Sequence, residues 1–285
     1  MRVLVTGAGG MLGTRVVAEA RARGLAVAAL TRDDVDLTDG ARTQSLFAER
    51  EPDAIIHCAA YTDVDGAEAD EAAAMAGNRD AALNVARAAE ASGARIVAVS
   101  TDYVFDGRMA ESADRRPYLE SDETGPIAIY GRTKLAAEDA VVGACGNHAI
   151  ARTAWVFGAG GKNFCDTMLR AAETRDRVAV VTDQIGSPTW TGHLAPALLD
   201  LAAMPNKGVF HLAGDGQCSW HELTVELFAQ ANVDCAVDET TSDAFPRPAA
   251  RPAWSVLASE RDETPRLPPW QEGVRGFLYE RGRGT

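Results

Sequence analysis

The sequence predicts an α/β chain built on a doubly wound parallel sheet, with a smaller C-terminal lobe interleaved with it. Three observations carry that prediction. Apolar runs alternate with helical stretches through the first half, and alternating β and α units form a parallel sheet because each crossover helix returns the chain to the same end. The runs, such as Ile96-Val97-Ala98-Val99, are apolar without alternation, as strands covered on both faces require. The first run, Val3-Leu4-Val5, leads straight into Gly7, Gly10 and Gly13, a strand-to-helix turn of the Rossmann type.

Taken in order, the strands are expected at Arg2–Thr6, Ala26–Leu30, Ala54–Ala59 and Arg95–Thr101, with helices near 11–23, 41–50, 78–92 and 131–143. Residues 1–152 form the expected dinucleotide-binding domain and 153–285 mainly a substrate-binding lobe. After His148–Arg152 the rhythm loosens. Trp155–Lys162 is glycine-rich and aromatic, which suits a mobile loop over a ligand. Strands near 178–182 and 208–212 are expected to rejoin the sheet, while helices near 191–203, 219–231 and 270–282 belong to the second lobe. The charged segment 107–121 reads as a surface loop.

Composition narrows the function. Hydrophobic residues make up 46% of the chain, yet no uninterrupted apolar stretch reaches the ~18 residues that span a bilayer. A net charge of −13 argues against nucleic acid, whose backbone rewards basic surfaces. With a strand starting at Arg2 and no room for a leader before it, the chain is expected in the cytoplasm, with no membrane partner. The five cysteines are scattered without a C-x-x-C, and the five histidines share no ligand spacing. They read as reduced thiols and structural imidazoles, with no metal.

The glycine turn is G-x-x-G-x-x-G, because position 12 is Leu and not Gly. Its place after a strand and before a helix makes it a dinucleotide site. Gly7, Gly10, Met11, Leu12 and Gly13 are the candidate pyrophosphate contacts. Where an acidic residue often takes the adenosine ribose, Thr31-Arg32 ends the second strand. A guanidinium there favours the 2′-phosphate of NADPH, with NADH accepted as the alternative because Asp33 and Asp34 follow. Asp36 and Leu37 are placed to touch the adenine, and Ala59, Ala60, Tyr61 and Thr62 to run under the pyrophosphate and ribose.

Tyr130 and Lys134 stand four residues apart, on one face of a helix, near the hydroxyl of Thr101 at a strand end. An unperturbed phenol has a pKa of roughly 10, so a neighbouring ammonium is expected to lower it for proton transfer to a reduced carbonyl. Lys134 is that cation, and it can also bond the nicotinamide ribose. Thr101 would orient the carbonyl by donating to its oxygen.

With these residues in place, the chain resembles the dTDP-4-dehydrorhamnose reductase family of extended short-chain dehydrogenase/reductases. The likeness runs from about residue 1 to 281 and includes Asp36-Leu37-Thr38-Asp39, Ala59-Ala60-Tyr61-Thr62-Asp63-Val64-Asp65-Gly66-Ala67-Glu68 and Ser100-Thr101-Asp102-Tyr103-Val104-Phe105-Asp106-Gly107. Tyr130-Gly131-x-x-Lys134, Arg152-Thr153-Ala154-Trp155-Val156-Phe157, Asn163-Phe164, Asp183-Gln184-x-Gly186-x-Pro188-Thr189, Gly208-Val209-Phe210-His211-Leu212 and Arg251-Pro252 continue it. The resemblance implies hydride transfer from NAD(P)H to C4 of dTDP-4-dehydro-L-rhamnose, downstream of a 3,5-epimerase. It implies that Thr101, Tyr130 and Lys134 are catalytic, and that Thr62, Val64, Thr101, Tyr103, Trp155 and Asn163 contact the sugar.

Two departures stand out. The stretch from Thr101 to Tyr130 is longer than the family pattern, with the excess in Arg108–Tyr118. Arg15 occupies the place where some members use a carboxylate for magnesium-linked dimerisation, so metal dependence is not expected; the assembly expected is a monomer or weak homodimer. The competing readings are a reductase or epimerase for another nucleotide-linked 4-keto-6-deoxy sugar and a non-catalytic NADP-binding regulatory subunit. The presence of Thr101, Tyr130 and Lys134 together favours an enzyme.

Overall fold

The computed structural model describes residues 1–113 and 115–282. Asp114, in the expected surface loop, and the last three positions of the expected lobe lie outside the described residues. The first half runs β1 (Arg2–Thr6), α1 (Met11–Ala22), β2 (Ala26–Leu30), α2 (Gly40–Arg50), β3 (Ala54–His57), α3 (Val64–Ala69), α4 (Glu71–Met75), α5 (Ala81–Ser92), β4 (Arg95–Thr101), α6 (Ile129–Ala144) and β5 (His148–Thr153). A π-helical turn, Ala76–Asp80, joins α4 to α5. The second half runs β6 (Val156–Phe157), α7 (Phe164–Ala172), β7 (Arg177–Val181), β8 (Ile185–Gly186), β9 (Thr189–Trp190), α8 (Thr191–Ala203), β10 (Gly208–His211), β11 (Cys218–Ser219), α9 (Trp220–Ala231), β12 (Ala236–Thr240) and α10 (Trp270–Gly282).

The central sheet has the order β2-β1-β3-β4-β5-β10, and every pairing in it is parallel. Side chains alternate between its faces with period two. Val3, Val5, Ile56 and Val97 pack with α1 and α8. Leu4, Ile55, Ile96, Ala98 and Ile150 pack with α2, α5 and α6. Both faces are therefore dry, which is why the strands read as continuous apolar runs. Strand order reverses between β1 and β3, and such a reversal opens a crevice beyond the carboxyl ends of the two strands.

Three sequence expectations change here. The stretch Trp155–Lys162, expected as a mobile loop, contains a strand, since Val156–Phe157 form β6 and pair in parallel with β9. The strand expected near 178–182 does not rejoin the central sheet; β7 pairs with β12 in a separate parallel ribbon. Its burial alternates, with Arg177 and Ala179 outward and Val178 and Val180 inward, so it suits one covered face and not two. Helix α8, expected in the second lobe, lies against the sheet beside α1. Nine of its thirteen residues are buried, too many for a helix with one wet face. By contrast, β10 is the edge strand next to β5.

The second lobe has its own core of Phe157, Cys165, Leu169, Val178, Leu227, Phe228 and Phe277. A capping box between Ser219 and Glu222 starts α9, satisfying N–H groups that the helix cannot. The segment 107–121 is less free than expected. Tyr118 is buried and stacks on Phe105 with centroids 4.1 Å apart, and its backbone N–H bonds Val256. Burying one aromatic ring pins the end of a loop whose Arg108, Glu111, Arg115 and Arg116 are exposed.

Candidate active site

At the switch point, Val5 and Thr6 of β1 lie beside Ile56 and His57 of β3. The chain then turns through Gly7 at φ +66°, where a Cβ would meet the Ala59 nitrogen at 2.6 Å. Only glycine fits. A Cβ on Gly13 would come within 2.1 Å of the Gly7 carbonyl oxygen, so α1 starts directly over the turn. Gly10 is the N-cap of α1 without a side-chain cap, and the first turn holds no acidic residue. The N–H groups of Met11, Leu12 and Gly13 at this positive helix end lack intrahelical acceptors. The cradle suits a diphosphate.

Behind it, the Thr6 hydroxyl and His57 Nδ1 are 2.7 Å apart. Burial drives this imidazole down to about 3, so it is neutral and structural. Asp34 folds back onto the Thr31 N–H and hydroxyl, each at 2.8 Å, while Arg32 is exposed and, among the described residues, pairs with no carboxylate. That leaves the guanidinium free at the strand end. Asp36 accepts from the N–H and hydroxyl of Thr38, and Leu37 packs on the core under the sheet.

Ala59–Thr62 leaves β3 along the crevice, braced by a residue that sequence reasoning missed. Asn78, on the π turn, accepts from the Tyr61 N–H at 2.8 Å and donates to the Tyr61 carbonyl and to Thr133 Oγ1 at 2.9 Å. It ties the crevice floor to α6, which carries Tyr130 and Lys134. A single asparagine inside a helical pattern gives little warning, although π turns concentrate at functional sites.

Helix α6 approaches β4 closely because Gly131 has no side chain: a Cβ there would lie 2.2 Å from the Tyr103 carbonyl oxygen. This approach sets the Tyr130 phenol beside the Thr101 hydroxyl, which favours its ionised form. The Tyr103 ring meets Tyr130 edge-on, centroids 5.6 Å apart. Lys134 is buried and donates from Nζ to the Val99 carbonyl at 2.8 Å. Burial pulls its ammonium down to about 8, with Glu138 and Cys58 acting in the opposite direction.

The expected effect of Lys134 on the phenol needs correction. Tyr130 is pushed up to about 12, by burial first and the nearby Asp102 charge as well, while Thr101 acts in the lowering direction. The ammonium is aimed at Val99 and does not offset that burial. Tyr130 is therefore a protonated phenol, a stored acid at neutral pH. Asp102, whose part sequence reasoning missed, is buried beside Thr101 and accepts from its hydroxyl at 3.0 Å.

Around the rim, Trp155 adopts φ +45°, an uncommon conformation for a bulky residue. Its ring stacks on Trp220 with centroids 3.5 Å apart. Gly186 permits this, since a Cβ there would press 2.4 Å from the Trp155 ring. The Trp220 indole donates to Gln184 Oε1 at 3.1 Å, linking the Asp183–Thr189 motif to the aromatic wall. Thr62 is exposed and Val64 partly so at the start of α3. Next to them, Asp65 takes both arms of Arg251 at 2.9 and 3.0 Å.

Asn163 departs from its expected sugar contact. Its amide bonds the Gly158 and Gly161 carbonyls and Asp166, and caps α7. It also lies against Met11. With these bonds made, it braces the 158–163 loop beside the glycine turn instead of reaching toward Thr101.

Comparisons with known proteins show what the whole chain is similar to. The family model described as the RmlD substrate binding domain matches residues 1–282. A dTDP-4-dehydrorhamnose reductase of Mycobacterium tuberculosis is 44% identical over 100% of this chain and 94% of its own. A dTDP-4-keto-6-deoxy-D-glucose reductase of Streptomyces niveus is 40% identical over 91% of this chain and 89% of its own. Among solved structures, a dTDP-4-dehydrorhamnose reductase of Bacillus anthracis, in complex with NADP, superposes with a TM-score of 0.93 at 36% identity, covering 98% of this chain and 99% of that one.

Proposed function

The chain belongs to the RmlD substrate binding domain family, and from that premise we propose that it is an NAD(P)H-dependent oxidoreductase reducing the C4 ketone of dTDP-4-dehydro-β-L-rhamnose to dTDP-L-rhamnose. The observation that carries the reading is the meeting of Thr101 and Tyr130 above a glycine cradle that a Cβ would fill. The bound dinucleotide supplies the hydride.

The chain's own residues do the rest. Gly7, Gly10 and Gly13 admit the diphosphate, and the open N-terminus of α1 neutralises it. Arg32 distinguishes the 2′-phosphate and favours NADPH. Lys134, fixed on the Val99 carbonyl, is placed for the ribose hydroxyls. Tyr130 holds its proton until an alkoxide, a far stronger base, develops beside it. Thr101 orients the ketone oxygen. The stacked Trp155 and Trp220, with Tyr103, offer apolar faces to a 6-deoxy ring that bears a methyl group.

Among the described residues no helix is long and apolar enough to cross a membrane, and a cytoplasmic enzyme is the location proposed. Arg15 is tied to Glu280 of the same chain at 2.6 Å, and a monomer or weak homodimer is the assembly proposed.

The test is product analysis by NMR after incubating the protein with dTDP-4-dehydro-6-deoxyglucose, NADPH and a 3,5-epimerase. Formation of dTDP-L-rhamnose that requires the epimerase supports the reading. The name of the Streptomyces niveus relative, dTDP-4-keto-6-deoxy-D-glucose reductase, suggests a second one, direct reduction of that sugar by this chain, and equal turnover without epimerase would select it.

A further inference from the structure

The hydrogen bonds of Thr101 pose a problem for its role. A hydroxyl carries one hydrogen and two acceptor positions. The Thr101 hydroxyl accepts from the Tyr103 N–H at 3.2 Å and donates its hydrogen to Asp102 Oδ1 at 3.0 Å. In that arrangement it has no hydrogen for a ketone or for Tyr130.

We propose, building on the reductase reading above, that Asp102 is a positioning residue that sets the direction of the Thr101 hydroxyl. As a carboxylate it draws the Thr101 hydrogen away from the reacting centre. As a carboxylic acid it donates to Thr101 Oγ1, fills the second acceptor position and releases the hydrogen toward Tyr130 and the ketone.

The surroundings favour the acid form. Asp102 opens the short turn after β4 and is 2% exposed. Its Oδ2 is buried without a hydrogen-bond partner, a costly state for an anion and a milder one for a neutral acid. The groups facing it are the hydroxyls of Thr101 and Ser255 and the phenols of Tyr103 and Tyr130. Arg251 and Asp65, the next charges on the Tyr103 side, pair with each other. Among the described residues no ion pair reaches Asp102. Burial accordingly raises its carboxyl to about 6, against the lowering influence of the Ser255 and Thr101 hydroxyls.

The test is the pH dependence of kcat for wild type, Asp102→Asn and Ser255→Ala, alongside a carbon-13 NMR titration of the aspartate carboxyls. The wild-type kcat is expected to fall tenfold or more between about pH 5.5 and 8 as the acid form is lost. A carboxamide in place of the carboxyl can donate to Thr101 at every pH, so Asp102→Asn should hold kcat within about twofold over the same range. Ser255→Ala removes a hydroxyl that favours the carboxylate and should move the midpoint to higher pH, which keeps the test decisive if the Asp102 variant does not fold.

A pH profile unchanged in both variants overturns the proposal. So does an Asp102 carboxyl titrating near the ordinary value of about 3.9. If the wild-type protein turns over no 4-keto sugar, the reductase reading fails and the NMR titration alone decides on Asp102.

Discussion

Glu138 grips Arg152 from both carboxylate oxygens, at 3.0 Å and 2.7 Å, with the two side chains 6% and 5% exposed. The pair joins α6 to β5 beneath the catalytic strand end, and Ser100 donates to the same carboxylate. The guanidinium also lies 5.2 Å over the Phe105 ring. Glu138 is one helical turn beyond Lys134 and is the main group holding that ammonium's pKa up against burial.

Removing one member of a buried pair leaves the other charge uncompensated. Glu138→Ala should therefore destabilise the fold by about 3–5 kcal/mol. The double variant Glu138→Leu with Arg152→Leu should recover much of that loss, because two apolar groups leave nothing unpaired. Urea denaturation of the three proteins checks it, and a single variant as stable as wild type would refute the account.

Tyr130→Phe deletes the proton donor while keeping the ring that packs on Tyr103. Its kcat should fall roughly a hundredfold or more with dinucleotide binding intact. Stopped-flow hydride transfer and cofactor fluorescence separate the two. A kcat near wild type would assign the proton to another group.

Lys134→Met should abolish most activity yet stabilise the fold. The ammonium titrates near 10.5 when unfolded and about 8 when folded, so below about 8 its burial opposes folding in full. As pH rises through the window between those values the penalty disappears, and wild-type stability should climb. At neutral pH the Met variant should gain ~1–3 kcal/mol, an order-of-magnitude figure from the shift. Thermal melts from pH 7 to 10 provide the check; a variant that melts earlier at pH 7 would mean that the bond to Val99 outweighs desolvation.

Arg32→Ala should weaken NADPH about tenfold more than NADH, the scale of one charge-assisted bond to a 2′-phosphate. Equal losses for both cofactors would make Arg32 an ordinary surface charge.

Activity and sedimentation should be unaffected by EDTA. Arg15 pairs with Glu280 and lies 5.4 Å from the Trp190 ring centroid, and Glu19, the neighbouring carboxylate, pairs with Arg23. A cation at that place repels magnesium. Chelation that stops turnover, with magnesium restoring it, would show that a metal is used after all.

What the sequence determined by itself was local or periodic. The glycine turn, the strands of the central sheet and the four-residue spacing of Tyr130 and Lys134 are all written within a few residues of one another, because they follow from steric freedom at glycine and from helix and strand repeats. What only the tertiary structure decided depends on partners far along the chain. The ribbon of β7 and β12, the place of α8 beneath the sheet and the stacking of Trp155 on Trp220 are choices among alternative burials. The directions of polar hydrogens belong there too. Lys134 points at Val99, Asn163 at its own loop and Thr101 at Asp102, because a buried donor takes whichever acceptor the assembled walls provide.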